Sequence, residues 1–208
     1  MREHYEELWA RLPDVPPDAE ARRREAFLLG RLEPGLRVLD LGCGLGHTAA
    51  AAAAAGARVV AADVASIAVE RARAAHPGLD VRLVPIEGPL PLEDGAFDVV
   101  HAGEVIEHVA DTAAWLSEAR RVLAPGGRLL LTTPSHGRLR SVAIATGSFE
   151  RHFDPLGDHL RFYTRRSLRS TLEQFGFEDV SVRAAGGLPL LRETLLASAR
   201  KASWRSTR

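Results

Sequence analysis

A short apolar run that passes directly into three alternating glycines restricts this chain more than any other feature. Leu36 to Leu41 reads "LRVLDL", and Gly42-Cys43-Gly44-Leu45-Gly46-His47 follows at once. An apolar segment of that length bounded by glycine reads as a buried strand. The glycines permit a tight turn and remove the Cβ bulk that would keep a ligand away from the backbone. "HTAAAAAAA" then reads as a helix, ended by Gly56. A strand, a glycine loop and a helix in succession open a parallel sheet.

The alternation continues. Strands are expected over 57–63, 80–86, 97–103 and 128–134, and helices over 65–76 and 111–123, the latter with Asp111 as N-cap. "EGPLPLEDGA" reads as loop and "APGG" as a turn. Residues 134–163 read as irregular, 164–176 as a helix and 177–183 as a strand. Two helices, 4–12 and about 18–32, precede the sheet and are separated by "PDVPPD". The first places Tyr5, Leu8, Trp9 and Leu12 on one face. The tail 184–208 is ambiguous between helix and strand. Strands alternating with helices give a doubly wound α/β fold, mostly parallel, with right-handed crossovers.

Bulk properties narrow the partners. The 208 residues suffice for one domain with a full core, and 27 basic residues balance 27 acidic ones. No global field draws nucleic acid or an anionic membrane, so binding a polyanion would require a local patch. Cys43 is the sole cysteine, which excludes an internal disulfide or a cysteine zinc cluster. The charged N-terminus lacks an apolar signal core, and the alanine-rich segment is too short to span a bilayer. A soluble, cytoplasmic protein is expected, with no membrane partner and an open oligomeric state.

Ligands of such sheets bind at the carboxyl ends of the strands, which selects Asp40–His47, Asp63, Glu87, His101–His108 and Thr133–His136. A dinucleotide loop is G-x-G-x-x-G. His47 stands where its third glycine belongs, so the pattern does not favour a pyrophosphate. Asp63, about 20 residues on at the end of the second strand, can accept from both hydroxyls of a ribose. A ribose without a required phosphate points to an adenosyl sulfonium, to which Asp40 would add negative charge. Another doubly wound nucleotide binder is the alternative.

"VLDLGCGLG", "VVAADVA", "FDVVHAGEVIEHV" and "RRVLAPGGRLLLTTP" resemble, in order, the motifs of class I S-adenosylmethionine-dependent methyltransferases. The resemblance covers about residues 36–183. It implies a seven-stranded sheet ending in an antiparallel pair, so "TLLASAR", 194–200, becomes the last strand. It implies that residues 1–34 form a helical lid and that 35–208 form the methyltransferase domain, with 134–163 inserted over the acceptor. The cofactor residues it implies are Asp40, Gly42, Cys43, Gly44, Gly46, Asp63, Val64, Glu87, Gly88, Ala102 and Gly103. Tyr5 and Trp9 would form the lid or simply pack.

Methyl transfer from a sulfonium needs an aligned nucleophile, exclusion of water and, for an alcohol, a proton acceptor. Glu104, Glu107 and His108 lie at i, i+3 and i+4 and would share a face on a helical turn. His108, His136 and Glu104 are the candidate catalytic groups. With His159, the set Glu104, Glu107, His108 and His159 resembles the magnesium site of small-RNA 3′-terminal 2′-O-methyltransferases and would hold Mg2+ or Mn2+. The same "E-x-x-E-H" also resembles ubiquinone-type methyltransferases, where these groups cap, pack or touch substrate. His101 reads as a core histidine, His152 as lining the acceptor pocket, His47 as structural or near the cofactor, and His4 and His76 as surface residues. The arginines and aromatics of 134–163 fit either an anionic or planar substrate or a solvated lid. The leading expectation is O-methylation of a small molecule. The alternatives are metal-assisted RNA 2′-O-methylation, which zero net charge disfavours, and a non-catalytic S-adenosylmethionine binder.

Overall fold

A computed structural model of the chain describes residues 2–13, 18–154, 157–188 and 193–203. In chain order the elements are α1 (Arg2–Arg11), α2 (Ala19–Leu29), β1 (Arg37–Leu41), α3 (His47–Ala54), β2 (Arg58–Asp63), α4 (Ser66–Ala75) and β3 (Asp80–Leu83). Then follow β4 (Phe97–Gly103), α5 (Thr112–Val122), β5 (Leu123–Pro134), α6 (Arg138–Gly147), α7 (Phe149–His152), α8 (Arg165–Gln174), β6 (Phe177–Ala185) and β7 (Thr194–Lys201). The seven strands form one sheet in the order β3-β2-β1-β4-β5-β7-β6. The first five run parallel, and β7 lies antiparallel between β5 and β6.

Alternation along each strand fills both faces. On one face Leu39, Leu41, Val100, Leu129 and Leu131 meet Leu116 and Val122 of α5 and Leu168 and Leu172 of α8. On the other, Val38, Val99 and Leu130 meet Phe27 and Leu28 of α2 and Ala52 of α3. The alanine-rich helix α3 is thus a thin spacer that brings its backbone close to the sheet. Among these strands the winding reverses between β1 and β4. The loops after those two strands therefore border the crevice where such folds take ligands.

The expected elements recur with three differences in the elements and one in a side chain. β3 stops at Leu83, ahead of Pro85, whose ring has no N–H for a ladder. β5 starts at Leu123: Phe97 pairs with Leu123 and Val99 with Arg128, so the "APGG" residues are looped out within the strand. The segment expected to be irregular contains α6 and α7. Its helical period is hard to read because α6 buries only Ile144. His76, expected at the surface, is half-buried and packs edge-on against His47, ring centres 5.4 Å apart. The side chains of His4 and Arg151, and residues 189–192 and 204–208 of the ambiguous tail, lie outside the description.

Candidate active site

The glycine loop is held by Asp63. Its carboxylate, at the end of β2, accepts from the Gly44 N–H at 2.9 Å and the Ala65 N–H at 3.0 Å. Burial pushes its pKa up, while the backbone donors of Ala65, Gly44 and Val64 pull the other way. Each oxygen keeps lone-pair capacity toward the cavity it lines. Gly42 and Gly44 are left-handed, and any Cβ would collide: 2.4 Å from a Val105 methyl at Gly42, and 2.6 Å from the Trp9 ring at Gly44. Gly46 serves a different purpose. It precedes α3 at φ 78°, and a Cβ there would press on His76, Ala72 and Leu79. The third glycine therefore sets helix packing away from the cavity.

Helix α1 covers the loop. Helix α4 begins after Ala65, which has no side chain to cap the exposed N–H groups. Glu6 of α1 supplies the cap instead. Its carboxylate accepts from Ser66 N at 2.7 Å, Ser66 Oγ at 2.8 Å and Ile67 N at 3.0 Å, where the helix dipole also favours a negative charge. Arg71 of α4 donates to the Trp9 carbonyl at 2.6 Å. So fixed, Tyr5, Leu8 and Trp9 turn inward and line a cavity of about 520 Å³, while Leu12 stays exposed. No described residue of α2 reaches the cavity wall; that helix belongs to the core.

Opposite the lid stands the turn after β4. Ile106 is buried and anchors it. Glu104 adopts φ 57°, a conformation rare for a residue with a Cβ and often found at functional positions. The segment is a turn rather than a helix, so the three side chains do not share a helical face, although Glu104 and Glu107 remain neighbours. Two threonines at the tip of β5 hold the carboxylates: Thr132 Oγ1 donates to Glu104 at 2.8 Å and Thr133 Oγ1 to Glu107 at 3.0 Å. Burial raises both pKa values, and the neighbouring Glu104 helps push Glu107 up to about 8.

The Glu107 carbonyl accepts from the N–H groups of Leu160 and Arg161. That clamp brings His159 to His108, ring centres 4.7 Å apart. His108 Nδ1 lies 2.9 Å from the Asp158 carbonyl. A carbonyl only accepts, so Nδ1 carries a proton and donates to it, and Nε2 lies 3.8 Å from Glu107 Oε1. Ligand-capable atoms of Glu107, His108 and His159 lie within 4.8 Å of one another. Glu104 is absent from that set because its left-handed backbone aims it at Thr132.

Of the residues expected to serve the cofactor, Gly42, Asp63, Val64, Glu87 and Gly88 line the cavity, as do Glu104 and His108. Asp40, Cys43, Gly44, Gly46, Ala102 and Gly103 do not. Asp40 and His101 are register partners on adjacent strands, so their side chains stand side by side. They meet at 2.7 Å inside the sheet, with His101 in the core. Burial, with Asp40 and Asp63 nearby, pushes the Cys43 thiol up, so it is no nucleophile. His136 is buried, and its Nε2 lies 2.9 Å from His152 Nε2; neither ring lines the cavity. Sequence reasoning missed Leu8 in this role, left Val105 without a role inside the selected His101–His108 stretch, and passed over Ile86, Leu90, Trp115 and Asp158. Trp115 sits on the cavity-facing side of α5, a signal readable in its position four residues after the Asp111 cap. The 87–94 loop is held against α5 by Glu118, which accepts from Leu90 N, and by Arg121, which donates to the Leu90 and Leu92 carbonyls.

The chain matches the methyltransferase domain family over residues 2–182. It is 35% identical over 169 residues to a ubiquinone biosynthesis O-methyltransferase of Dinoroseobacter shibae, covering 78% of this chain and 68% of that protein. It is 31% identical over 185 residues to a protein of Mycobacterium tuberculosis named "Probable S-adenosylmethionine-dependent methyltransferase", covering 88% and 64%. The matched regions span 35 to 75% of the lengths of the curated relatives. The crystal structure of an S-adenosylmethionine dependent methyltransferase from Mesorhizobium loti superposes with a TM-score of 0.69 at 22% identity, covering 88% of this chain and 98% of that one. With the glycine loop, the covering helix and a family match along most of its length, the chain belongs to the methyltransferase domain family.

Proposed function

We propose that the chain transfers a methyl group to a hydroxyl of a small molecule, with His108 as general base. The observation that carries this reading is the orientation of His108: Nδ1 is committed to the Asp158 carbonyl, so Nε2 is the proton acceptor of the neutral ring in a side chain that lines the cavity. The cavity residues fit the cofactor. Gly42 and Asp63 line the cavity, where the carboxylate offers lone pairs to a ribose, and Pro85, Ile86, Glu87, Gly88 and Trp115 line the wall that would receive a base. When bound, S-adenosylmethionine supplies a methyl group on a positively charged sulfur. The chain does the rest. Tyr5, Leu8 and Trp9 exclude water, and enclosure aligns the two reactants, an effect worth about 7–11 kcal/mol in well-oriented systems. His108 Nε2 takes the hydroxyl proton as the oxygen lone pair forms the new O–C bond. A cavity roofed by α1 and the name of the Dinoroseobacter relative both favour a small hydroxylated acceptor such as a quinone precursor. Replacing His108 with Gln should lower turnover on such a phenol about 10²–10⁴-fold, with binding of S-adenosylhomocysteine unchanged. Tritiated methyl transfer and calorimetry read the two quantities, and unaltered turnover would remove His108 from the role.

The cluster of Glu107, His108 and His159 favours a second reading, in which Mg2+ or Mn2+ held by these three orients the acceptor oxygen. Dialysis against EDTA should then abolish turnover and added magnesium restore it; full activity in chelator would retire the metal. No helix among the described residues is long and apolar enough to cross a membrane.

A further inference from the structure

The cavity is one-sided in charge. Among the described residues its wall carries six acidic side chains, Asp63, Glu87, Glu104, Asp111, Glu118 and Asp158, and no lysine or arginine, in a chain that has 27 of those cations. His108 is the one basic group on it. Three of the six acids are already matched. Glu118 pairs with Arg121 at 2.8 Å, Asp111 caps α5, and Asp63 takes two loop N–H groups. Glu104 takes a bond from the uncharged hydroxyl of Thr132, and Arg24 of α2 and His159 act on it only through space, from outside the wall. Asp158 Oδ2 stands 3.6 Å from His108 Nδ1, beyond a hydrogen bond. Behind them Glu107, 1% exposed, keeps Oε1 without a hydrogen-bond partner among the described residues, 3.8 Å from His108 Nε2.

With a ribose at Asp63 and an acceptor oxygen at His108, the sulfur of the donor falls between the two. Tyr5 marks the place. Its hydroxyl is pushed up by burial and then by Asp158, Asp63 and Glu107, so carboxyl groups face that point from both ends of the cavity. A positive centre there is attracted, and a neutral one of the same shape is not. Methyl transfer changes that very charge. The sulfur–methyl bond breaks, its electron pair returns to sulfur, and the sulfonium becomes an uncharged thioether. The acceptor oxygen gives up its proton and gains the methyl group. We propose that Glu104 is a specificity-determining residue through which the cavity holds the charged donor, S-adenosylmethionine, more tightly than the uncharged product, S-adenosylhomocysteine, with Asp158 in support. The enzyme then keeps turning over while the product cofactor accumulates. This inference rests on the proposed seating of the donor between Asp63 and His108.

The test is calorimetric titration of the full chain, in EDTA so that no metal neutralises the carboxylates, with three ligands of closely similar shape. These are S-adenosylmethionine, S-adenosylhomocysteine, and sinefungin, which carries an ammonium group where the methylated sulfur stands. Both cations should bind at least about tenfold tighter than the thioether. Glu104→Gln keeps an oxygen for Thr132 and removes one charge, and should compress that ratio to within about threefold. The ratio is taken within one protein, so a general loss of fit cancels. Should Glu104→Gln fail to fold, Asp158→Asn takes its place and should lower the ratio at least about twofold. Three results would overturn the proposal: a wild type that binds the product as tightly as the donor, a donor preference that the variant leaves intact, or a preference that sinefungin does not share, which would assign it to methyl contact rather than to charge. A chain that binds none of the three overturns the proposed function as well, whereas equal binding overturns this inference alone.

Discussion

Glu107 offers a sharp test of the site's electrostatics. Its side chain is 1% exposed, one oxygen accepts from Thr133, and the other has no protein donor among the described residues. Burial first, and Glu104 second, raise its pKa from the ordinary 4.5 to about 8. The folded state therefore holds this proton after the unfolded chain has released it. Stability is complete below the unfolded value and falls as pH rises toward the folded one. At about 1.4 kcal/mol per pH unit over that interval, the loss has a ceiling of about 4–5 kcal/mol. Glu107→Gln keeps a carbonyl for the Thr133 hydroxyl and cannot ionise. Near pH 5 the variant should lie within about 1 kcal/mol of wild type, and near pH 8.5 it should be more stable by several kcal/mol, up to about that ceiling. Urea unfolding of both proteins at both pH values, in chelator, measures the difference of differences and cancels every titrating group not coupled to Glu107, leaving Glu104 as the neighbour whose titration the substitution also changes. A gap of the same size at the two pH values would refute the reasoning.

Asp63→Ala removes the acceptor of two loop N–H groups along with the carboxylate facing the cavity, and should weaken S-adenosylhomocysteine binding at least about tenfold in calorimetry, since a lost charge-assisted hydrogen bond costs about 1.5–3 kcal/mol. Glu6→Ala strips the cap of α4 and should cost about 0.5–2 kcal/mol of stability. It should also free α1, so that limited proteolysis cuts near residue 13 faster without product and more slowly with it; an unchanged cleavage rate would mean that Glu6 does not hold the lid.

The order of strands and helices was legible because β1, β2, β4 and β5 end at or directly before a glycine, aspartate or proline, where the backbone readily changes direction. The positions of Gly42 and Asp63 on the cavity wall are those the strand-end rule selects, whereas Val64 entered only through the family resemblance. Asp40 was harder: a residue at the end of β1 satisfies that rule, but the register with His101 on β4, a long-range property, turns its carboxylate into the sheet. The i, i+3, i+4 spacing of Glu104, Glu107 and His108 implied one face only if the turn were helical, and a left-handed Glu104 breaks that condition. Gly46 matched a ligand loop while its φ and neighbours make it a packing device. The insertion was illegible for the opposite reason. Helix prediction looks for apolar residues facing inward, and α6 faces them outward. Neutral composition likewise averaged the acidic cavity wall against arginine elsewhere.

Trp9 rests on the Gly44 backbone and Trp115 lines the far wall, so two of the chain's three tryptophans border one cavity. Nature has in effect wired a lamp at each end of the chamber. Indole emission from the unlabelled enzyme should report when the chamber fills, and Trp9→Phe and Trp115→Phe should each extinguish one half of the signal, resolving roof closure from arrival of the base.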